Sequence, residues 1–311
     1  MGFGSVALQM VTVSLPILVG WAAHKLGLMD DDFDMRLSTL VLNIGLPALI
    51  LSSLSAQDTM PAATDMLWAM AGVTIMLAVA LIIAWVLTWA MRAPKGTEGV
   101  YRFIVTFGNC GFIGFPVISA VMGKGAVLMG AIGLIPLNFI IYTIGVMMFS
   151  GMGGGWRQTL RSASACLKTP TLIASVIVAA CVATGFTHLG VVGDSLTIIG
   201  ELTTPAALLL MGSSIAKYDP LSMLTNWRAY VAAAGRLLIA PLAGLLILKM
   251  LPMSPSILEV AVLECSMPVA TNGTLYCLQY GVEPKPMMQG TFISIVAAIV
   301  TIPLVVVLAQ M

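Results

Sequence analysis

The chain has 311 residues, of which 59% are hydrophobic and only 9% are charged, and its formal net charge at pH 7 is +1. A soluble domain carries roughly 25% charged residues, so this composition excludes an ordinary soluble fold and indicates a polytopic membrane protein. The balanced charge excludes a basic surface of the kind that binds nucleic acid. We therefore predict an all-α protein whose main surroundings are the lipid bilayer, with no nucleic-acid partner.

Ten transmembrane helices are predicted when the chain is cut at its charged and Pro- or Gly-rich breaks, because a span needs about 20 apolar residues. The predicted spans are 4–23, 37–54, 66–90, 101–121, 126–149, 170–187, 195–215, 229–250, 256–279 and 288–309. The first apolar run lacks a positively charged start and a small-residue cleavage site. We therefore interpret it as span 1 and not as a removed leader.

The distribution of Lys and Arg predicts the orientation of these spans. If the N-terminus is outside, only Lys124 and Lys249 face outward, whereas the other side receives Lys25, Arg36, Arg92, Lys95, Arg102, Arg157, Arg161, Lys168, Lys217, Arg228 and Lys285. Cytoplasmic loops carry the excess of basic residues. We expect a multi-pass protein of the cell membrane, in a bacterium the inner membrane, with both termini non-cytoplasmic.

Residues 1–150 and 170–311 are predicted to be two five-helix repeats, joined by a short cytoplasmic linker at 151–169. The segment "LNIGLPALILSS" surrounds Pro47, "GELTTPAALLLMGSS" surrounds Pro205, and a polar residue stands four positions before each proline. We expect these two prolines to kink spans 2 and 7.

A second proline pair supports the duplication. Pro116 and Pro268 follow Pro47 and Pro205 at nearly equal distances. Because each repeat has an odd number of spans, the second repeat must be inverted relative to the first. The alternative is chance, since proline is common in transmembrane helices.

Helix-breaking residues interrupt spans 4 and 9, in "GNCGFIGFP" and "ECSMPVATNGT". In hydrocarbon, freed backbone groups are tolerated only where they face protein or a water-lined cavity, so the breaks predict a cavity. Broken helices at corresponding positions of inverted repeats indicate a transport site near the membrane midplane. The N-terminus of a half-helix suits an anion, so the predicted ligand is an anion or carries an anionic group.

Polar side chains near the breaks are candidates for contacting this ligand. Asn109 lies seven residues before Pro116, and Glu264, Pro268 and Asn272 are spaced as on one helical face. An amide both donates and accepts hydrogen bonds, as recognition of a carboxylate requires. The alternative for both asparagines is capping of the half-helices, and the two roles can coexist.

Three ionisable residues fall inside predicted spans: Glu201, Arg236 and Glu264. A charge inside the membrane is costly, so each is a candidate for coupling transport to a proton or an ion. Glu264, on the broken ninth span, is the preferred proton-binding residue, because burial disfavours the charged form of a carboxyl group and so favours the binding of a proton. Arg236 is equally compatible with a structural ion pair to one of the two glutamates. These residues permit coupling to H+ or Na+, the alternative is a uniporter driven by the membrane potential, and we expect no cofactor.

Neither the cysteines nor the histidines form a recognisable metal or catalytic pattern. The cysteines, which we interpret as structural, are Cys110, Cys166, Cys181, Cys265 and Cys277. His24 and His188 fall at predicted loop positions. We therefore predict no metal site and no enzyme activity, and keep a channel or a sensor as the alternative functions.

The sequence resembles the auxin efflux carrier family, which includes the plant PIN-FORMED transporters and bacterial carriers described as malonate or malate permeases. The resemblance covers essentially the whole chain. It is carried by N-x-x-x-x-G-x-P at Asn109, Gly114 and Pro116, and by "VLNIGLPALI", "LTTPAALLLMGSS" and "SMPVATNGTLYCLQYG". The central loop here is short, whereas plant members have a long one.

The resemblance implies a fold of two inverted five-helix repeats, similar to sodium/proton antiporters and bile acid symporters. Spans 1, 2, 6 and 7 would form a scaffold that dimerises. Spans 3–5 and 8–10 would form a transport domain in which helices 4 and 9 cross at Pro116 and Pro268. The implied substrate-binding residues are Asn109, Gly114, Pro116, Asn138, Pro268, Thr271 and Asn272. The predicted function is a secondary carrier of small organic anions, mainly carboxylates, that works by alternating access.

Overall fold

The computed structural model describes residues 3–56, 61–150, 164, 167–186 and 189–310, and the predicted all-α class is confirmed there. Apart from an isolated antiparallel bridge between Gly108 and Val269, the regular elements of these residues are helices. In chain order they are α1 (Phe3–Lys25), α2 (Asp31–Ser52), α3 (Ala63–Ala90), α4a (Glu98–Thr106), α4b (Cys110–Met122), α5 (Ala126–Phe149), α6 (Pro170–Thr184), α7 (Gly190–Ala216), α8 (Trp227–Leu248), α9a (Pro255–Cys265), α9b (Asn272–Gln279) and α10 (Lys285–Gln310). One short turn, Pro220–Met223, precedes α8.

Six of the described helices are long and apolar enough to cross a membrane, namely α2, α3, α5, α7, α8 and α10. Helices α4b and α6 are shorter and also apolar. The bounds agree with the predicted spans to within a few residues, although α2 and α7 begin earlier, at Asp31 and Gly190. Most of the linker at 151–169 lies outside the described residues, so the division into two inverted repeats stays a prediction.

Three prolines follow widened helical turns at the same offset. A five-residue π segment ends two residues before each of them: Val41–Gly45 before Pro47, Cys110–Gly114 before Pro116, and Gly235–Ile239 before Pro241. Proline has no N–H and its ring collides with the carbonyl four residues back, so an extra residue in the preceding turn relieves the clash. Near Pro205 the outcome differs, because α7 is interrupted at Leu202.

Helices α1 and α7 approach each other closely through two glycines. A Cβ atom at Gly20 would overlap the backbone of Leu209, and one at Gly212 would overlap the backbone of Ile17. The absence of side chains at these two positions therefore allows the backbones to touch. Helix α2 packs against α6 and α7 beside them.

Four of the remaining helices pack against α3, namely α4a, α5, α8 and α9a, and α10 packs against α8 and α9a. A buried aromatic cluster joins α4a to α5 and α9b. The ring centroid of Phe103 lies 5.0 Å from that of Phe107, 5.1 Å from that of Phe149 and 5.8 Å from that of Tyr276. These tilted and edge-to-face contacts fix the helix ends beside the breaks in spans 4 and 9.

Candidate functional site

The breaks in spans 4 and 9 meet inside the molecule. Residues 107–109 and 266–271 leave the helical conformation and pair at the Gly108–Val269 bridge. Two backbone hydrogen bonds flank the bridge, from Asn109 N to Pro268 O at 2.7 Å and from Ala270 N to Phe107 O at 3.0 Å. These bonds satisfy backbone groups that the helix breaks would otherwise leave unpaired in an apolar interior. We call these two segments the crossing.

The predicted position of the crossing was wrong on the α4 side. Pro116 lies inside α4b, because the π segment before it relieves its clash and lets the helix continue. The break falls earlier, at Gly108 and Asn109, where a flexible residue precedes a good helix cap. Glu264 and Asn272 do not share a helical face with Pro268, since α9a ends at Cys265.

A cavity of about 610 Å³ lies against the crossing. Its walls from α2 and α5 are largely apolar and include Leu42, Leu46, Leu134, Leu137 and Ile141. Of the residues predicted to bind substrate, those that line the cavity are Asn109, Asn138, Thr271 and Asn272. The lining does not include Gly114, Pro116 or Pro268, which are buried within the surrounding helices and the crossing.

Asn109 combines the two roles that the sequence left open. Its side chain is 8% exposed, and its Oδ1 accepts a hydrogen bond from Phe112 N at 3.1 Å, which caps α4b. Its Nδ2 has no partner among the described residues, and neither does Oδ1 of Asn272. The side chain of Asn138 already forms a hydrogen bond within the protein, since its Nδ2 donates to Leu134 O at 3.0 Å. Two residues of the cavity wall therefore carry a buried, unpaired polar atom, a donor in Asn109 and an acceptor in Asn272.

Charged side chains line the cavity where α2 begins and α7 ends. Lys217 Nζ lies 2.7 Å from Asp31 Oδ1 and 2.9 Å from Asp34 Oδ2. Ser213 Oγ donates to Asp34 Oδ2 at 2.5 Å and lies 2.9 Å from His24 Nδ1. Since the hydroxyl proton of Ser213 points to the carboxylate, His24 Nδ1 must be the donor to the hydroxyl oxygen.

The positive charge of Lys217 is balanced by the two aspartates of this cluster. Burial opposes its charge, but hydrogen bonds and attraction from Asp31 and Asp34 outweigh burial and raise the pKa of Lys217. The sequence shows acidic residues at the start of α2, Asp31, Asp32 and Asp34, but it does not show that Asp34 is buried. His24 lies in the last turn of α1 and not in a loop, and His188 lies outside the described residues.

The two predicted coupling glutamates have different surroundings. Glu264 is 1% exposed, and neither carboxyl oxygen has a partner among the described residues. Its carboxyl group faces α5, where a Cβ atom at Gly133 would lie 3.0 Å from Oε2. Glu201 is instead paired with Lys124 at 2.5 Å, and its side chain is 58% exposed.

The predicted ion pair of Arg236 with one of these glutamates is not formed. Arg236 is 1% exposed and donates to backbone carbonyl oxygens at the crossing. One of them is the carbonyl of Glu264, at 3.1 Å from Nη2, whereas the carboxyl group of Glu264 points elsewhere.

Among the described residues, no group of three or more His, Cys, Asp or Glu side chains is arranged to hold a metal ion. The described cysteines are free thiols, namely Cys110, Cys181, Cys265 and Cys277. Cys166 lies outside the described residues.

The crossing of two broken helices beside a cavity is a transporter-like arrangement, and comparison with known proteins agrees. Residues 5–306 match the family model described as membrane transport protein. The chain belongs to this family. The family is that of the auxin efflux carriers, so the resemblance drawn from the motifs is confirmed.

Two relatives span nearly the whole chain. An "Uncharacterized transporter" of Methanothermobacter thermautotrophicus is 24% identical over 305 residues, which cover 94% of this chain and 95% of the relative. The "Uncharacterized transporter YfdV" of Escherichia coli K12 is 21% identical over 307 residues, which cover 95% of each chain. Family membership and the apolar helices together show a multi-pass membrane transport protein.

Proposed function

We propose that the protein is a secondary carrier of small organic anions, principally carboxylates, and that the cavity at the crossing is its substrate site. The observation that carries this proposal is the unpaired Nδ2 of Asn109, which is buried at the N-terminus of α4b in a residue of the cavity wall. A buried donor without a partner is costly unless a ligand satisfies it. A cavity of about 610 Å³ has the size of an ordinary small-molecule site.

The helix terminus at the crossing supports an anionic ligand, whereas the charged side chains of the lining, Asp31, Asp34 and Lys217, carry a formal net charge of −1. The N-terminus of α4b carries a partial positive charge and points toward the crossing, where Asn109 caps it. Lys217 is the cation among the described lining residues, and both Asp31 and Asp34 already neutralise it. The selection of an anion thus rests on the helix terminus and on amide donors at the crossing.

Alternating access is the proposed mechanism of transport. Helices α1, α2, α6 and α7 would form the scaffold, and α3–α5 with α8–α10 would form the transport domain that carries the crossing past it. The contacts of α1 with α7, and of α3 with α5, α8 and α9a, support this grouping. We further propose a homodimer formed by the scaffold, in a cell membrane, with both termini on the non-cytoplasmic side.

Proton coupling is proposed to depend on Glu264. A carboxyl group that is buried and unpartnered is costly to keep as an anion, so its charge state can change with the state of the carrier.

The test combines ligand binding with uptake. Thermal unfolding of the purified protein is measured against mono- and dicarboxylates and aromatic acids, and any acid that stabilises the protein is then tested for uptake into proteoliposomes. Asn109→Asp keeps the capping oxygen but removes the amide donor, so we expect stabilisation and uptake to be lost.

Asn43→Asp is the matched control, because it adds the same charge to the same cavity at an exposed side chain of α2. We expect a smaller loss of binding in this variant. If no acid stabilises the wild type or is taken up, the proposal of an organic-anion carrier fails. Equal losses in both variants would contradict the assignment of the site to Asn109.

A further inference from the structure

The guanidinium group of Arg236 is enclosed by the backbone of both broken spans. Its Nε donates to Met267 O at 3.0 Å, Nη1 donates to Thr106 O at 2.8 Å, and Nη2 donates to Glu264 O at 3.1 Å. Arg236 itself belongs to α8, which is not part of the crossing. A single side chain therefore connects the C-terminal ends of α4a and α9a.

The carbonyl groups of Thr106 and Glu264 lie in the last turns of α4a and α9a, and that of Met267 lies just beyond the end of α9a. The C-terminus of a helix carries a partial negative charge, which a nearby cation neutralises. In transporters with broken helices, such freed carbonyl groups are the ones that coordinate a coupling Na+. Here a guanidinium group occupies them. No carboxylate of the described residues lies within ion-pair distance of Arg236, so its hydrogen bonds go to the carbonyl groups, while the buried carboxyl group of Glu264 still feels its charge.

Two further carbonyl groups at the crossing also accept hydrogen bonds. Phe107 O accepts from Ala270 N, and Pro268 O accepts from Asn109 N. Together with the three carbonyl groups bound by Arg236, these account for five acceptors at the crossing. A Na+ ion that used these five carbonyl oxygens would have to compete with the donors already bound to them, three of which belong to Arg236.

Gly108 provides the space for this arrangement. A Cβ atom at Gly108 would overlap Nη2 of Arg236. The glycine is thus required at the crossing for a steric reason that involves the guanidinium group directly. The crossing and the arginine fit each other as parts of one site.

We propose that Arg236 is a resident cation of the crossing, which takes the place of a coupling Na+ and makes the carrier independent of Na+. This inference rests on the proposed carrier function and specifies its ion dependence. With the two C-termini neutralised by Arg236, the N-terminus of α4b keeps its positive character for the substrate anion. Arg236 acts as a positioning residue, because it does not line the cavity.

The experiment measures thermal unfolding of the full-length protein in NaCl, KCl and choline chloride at equal ionic strength, without any organic acid. For the wild type we expect the same Tm in all three salts. Arg236→Ala should lower the Tm in choline chloride, and low concentrations of NaCl or guanidinium chloride should raise it again by occupying the vacated oxygen atoms. Arg236→Lys should fall between the wild type and Arg236→Ala.

Two further variants provide controls. Arg228→Ala removes an arginine of the same helix that donates to Met91 O, away from the crossing, and its Tm should not respond to Na+. Gly108→Ala should displace the guanidinium group and gain a response to Na+, whereas Gly111→Ala places its Cβ in open space and should gain none.

A Na+-dependent rise in the Tm of the wild type would overturn the proposal, and so would Arg236→Ala and Gly108→Ala variants that respond to neither cation. If Arg236→Ala does not fold, the wild type and Gly108→Ala decide the question. Because no organic acid is present, these results are independent of whether the substrate has been identified correctly.

Discussion

Lys124 and Glu201 form a salt bridge between the loop that joins α4b to α5 and the middle of α7. Their nitrogen and oxygen atoms are 2.5 Å apart, and the two side chains are 51% and 58% exposed. The cavity instead reaches the charged residues where α2 begins and α7 ends. The salt bridge therefore lies outside the cavity and joins the proposed transport domain to the proposed scaffold. Helix α4b also packs against α1 and α7 at this place.

Reversing one charge of this pair should weaken the contact between the proposed transport domain and the proposed scaffold. An exposed salt bridge contributes about 0.2–1 kcal/mol, so Lys124→Glu and Glu201→Lys should each lower the Tm slightly. The double variant Lys124→Glu/Glu201→Lys should recover most of the loss at low salt, and the recovery should shrink at high salt. Thermal unfolding of all four proteins gives the coupling energy. Strictly additive effects of the two substitutions would show that the pair contributes nothing.

Asp34 and Asp31 contact the same lysine but differ in burial, so their loss should have different costs. The side chain of Asp34 is 7% exposed and accepts a hydrogen bond from Ser213, whereas that of Asp31 is 86% exposed. Asp34→Ala leaves the buried hydroxyl of Ser213 without its acceptor, which should cost roughly 1–3 kcal/mol. Asp31→Ala should change the Tm much less.

Ser213→Ala is the control for the buried network. Combined with Asp34→Ala, it removes both partners of the hydrogen bond, so the double variant should lose less stability than the two single losses added together. A larger loss from Asp31→Ala than from Asp34→Ala would contradict the assigned burial of the cluster.

Glu264 should control proton dependence while Glu259 should not. Both glutamates lie in α9a, but Glu264 is fully buried against α5, whereas Glu259 lies 3.5 Å from Gln310 Nε2 and is only partly buried. Glu264→Gln keeps the shape of the side chain and removes its ionisation. Uptake of an identified substrate should then no longer respond to an imposed pH gradient, while Glu259→Gln should retain the response.

Uptake that remains driven by the pH gradient in Glu264→Gln would exclude Glu264 as the proton-binding residue. Thermal unfolding separates this outcome from misfolding. Because the carboxyl group of Glu264 has no partner among the described residues, the amide should not lower the Tm through a lost hydrogen bond.

The sequence predicted the helical fold and the two interrupted spans because these depend on local properties. Runs of apolar residues mark the spans, and Gly108 and Asn109 both have a low propensity for the interior of a helix. The position of the crossing could not be read in the same way. Whether a proline breaks a helix or is absorbed by a π segment, as before Pro116, depends on how the neighbouring helices pack.

Contacts between residues that are far apart in the chain could not be predicted from the sequence either. Arg236 was evident as a charge inside a span, and a glutamate was the natural partner to expect. Its actual partners are backbone carbonyl groups, which exist as free acceptors only because α4a and α9a end beside it. The burial of Asp34 likewise depends on Ser213 and Lys217, which are far away in the chain.

Pro116→Ala should separate the role of the π segment from the role of the break. Alanine restores the N–H that proline lacks and removes the ring clash, so the π segment Cys110–Gly114 should relax to regular α-helix. Loss of the extra residue would rotate the start of α4b, and with it Asn109, relative to the cavity. We therefore expect an unchanged or higher Tm together with weaker binding of the stabilising acid.

Pro303→Ala is the matched control, because Pro303 lies inside α10, which contains no π segment. This variant should straighten or stabilise its helix without affecting binding at the crossing. If Pro116→Ala binds the acid as tightly as the wild type, the placement of Asn109 does not depend on the π segment. The break at Gly108 and the cap at Asn109 would then be sufficient to position α4b.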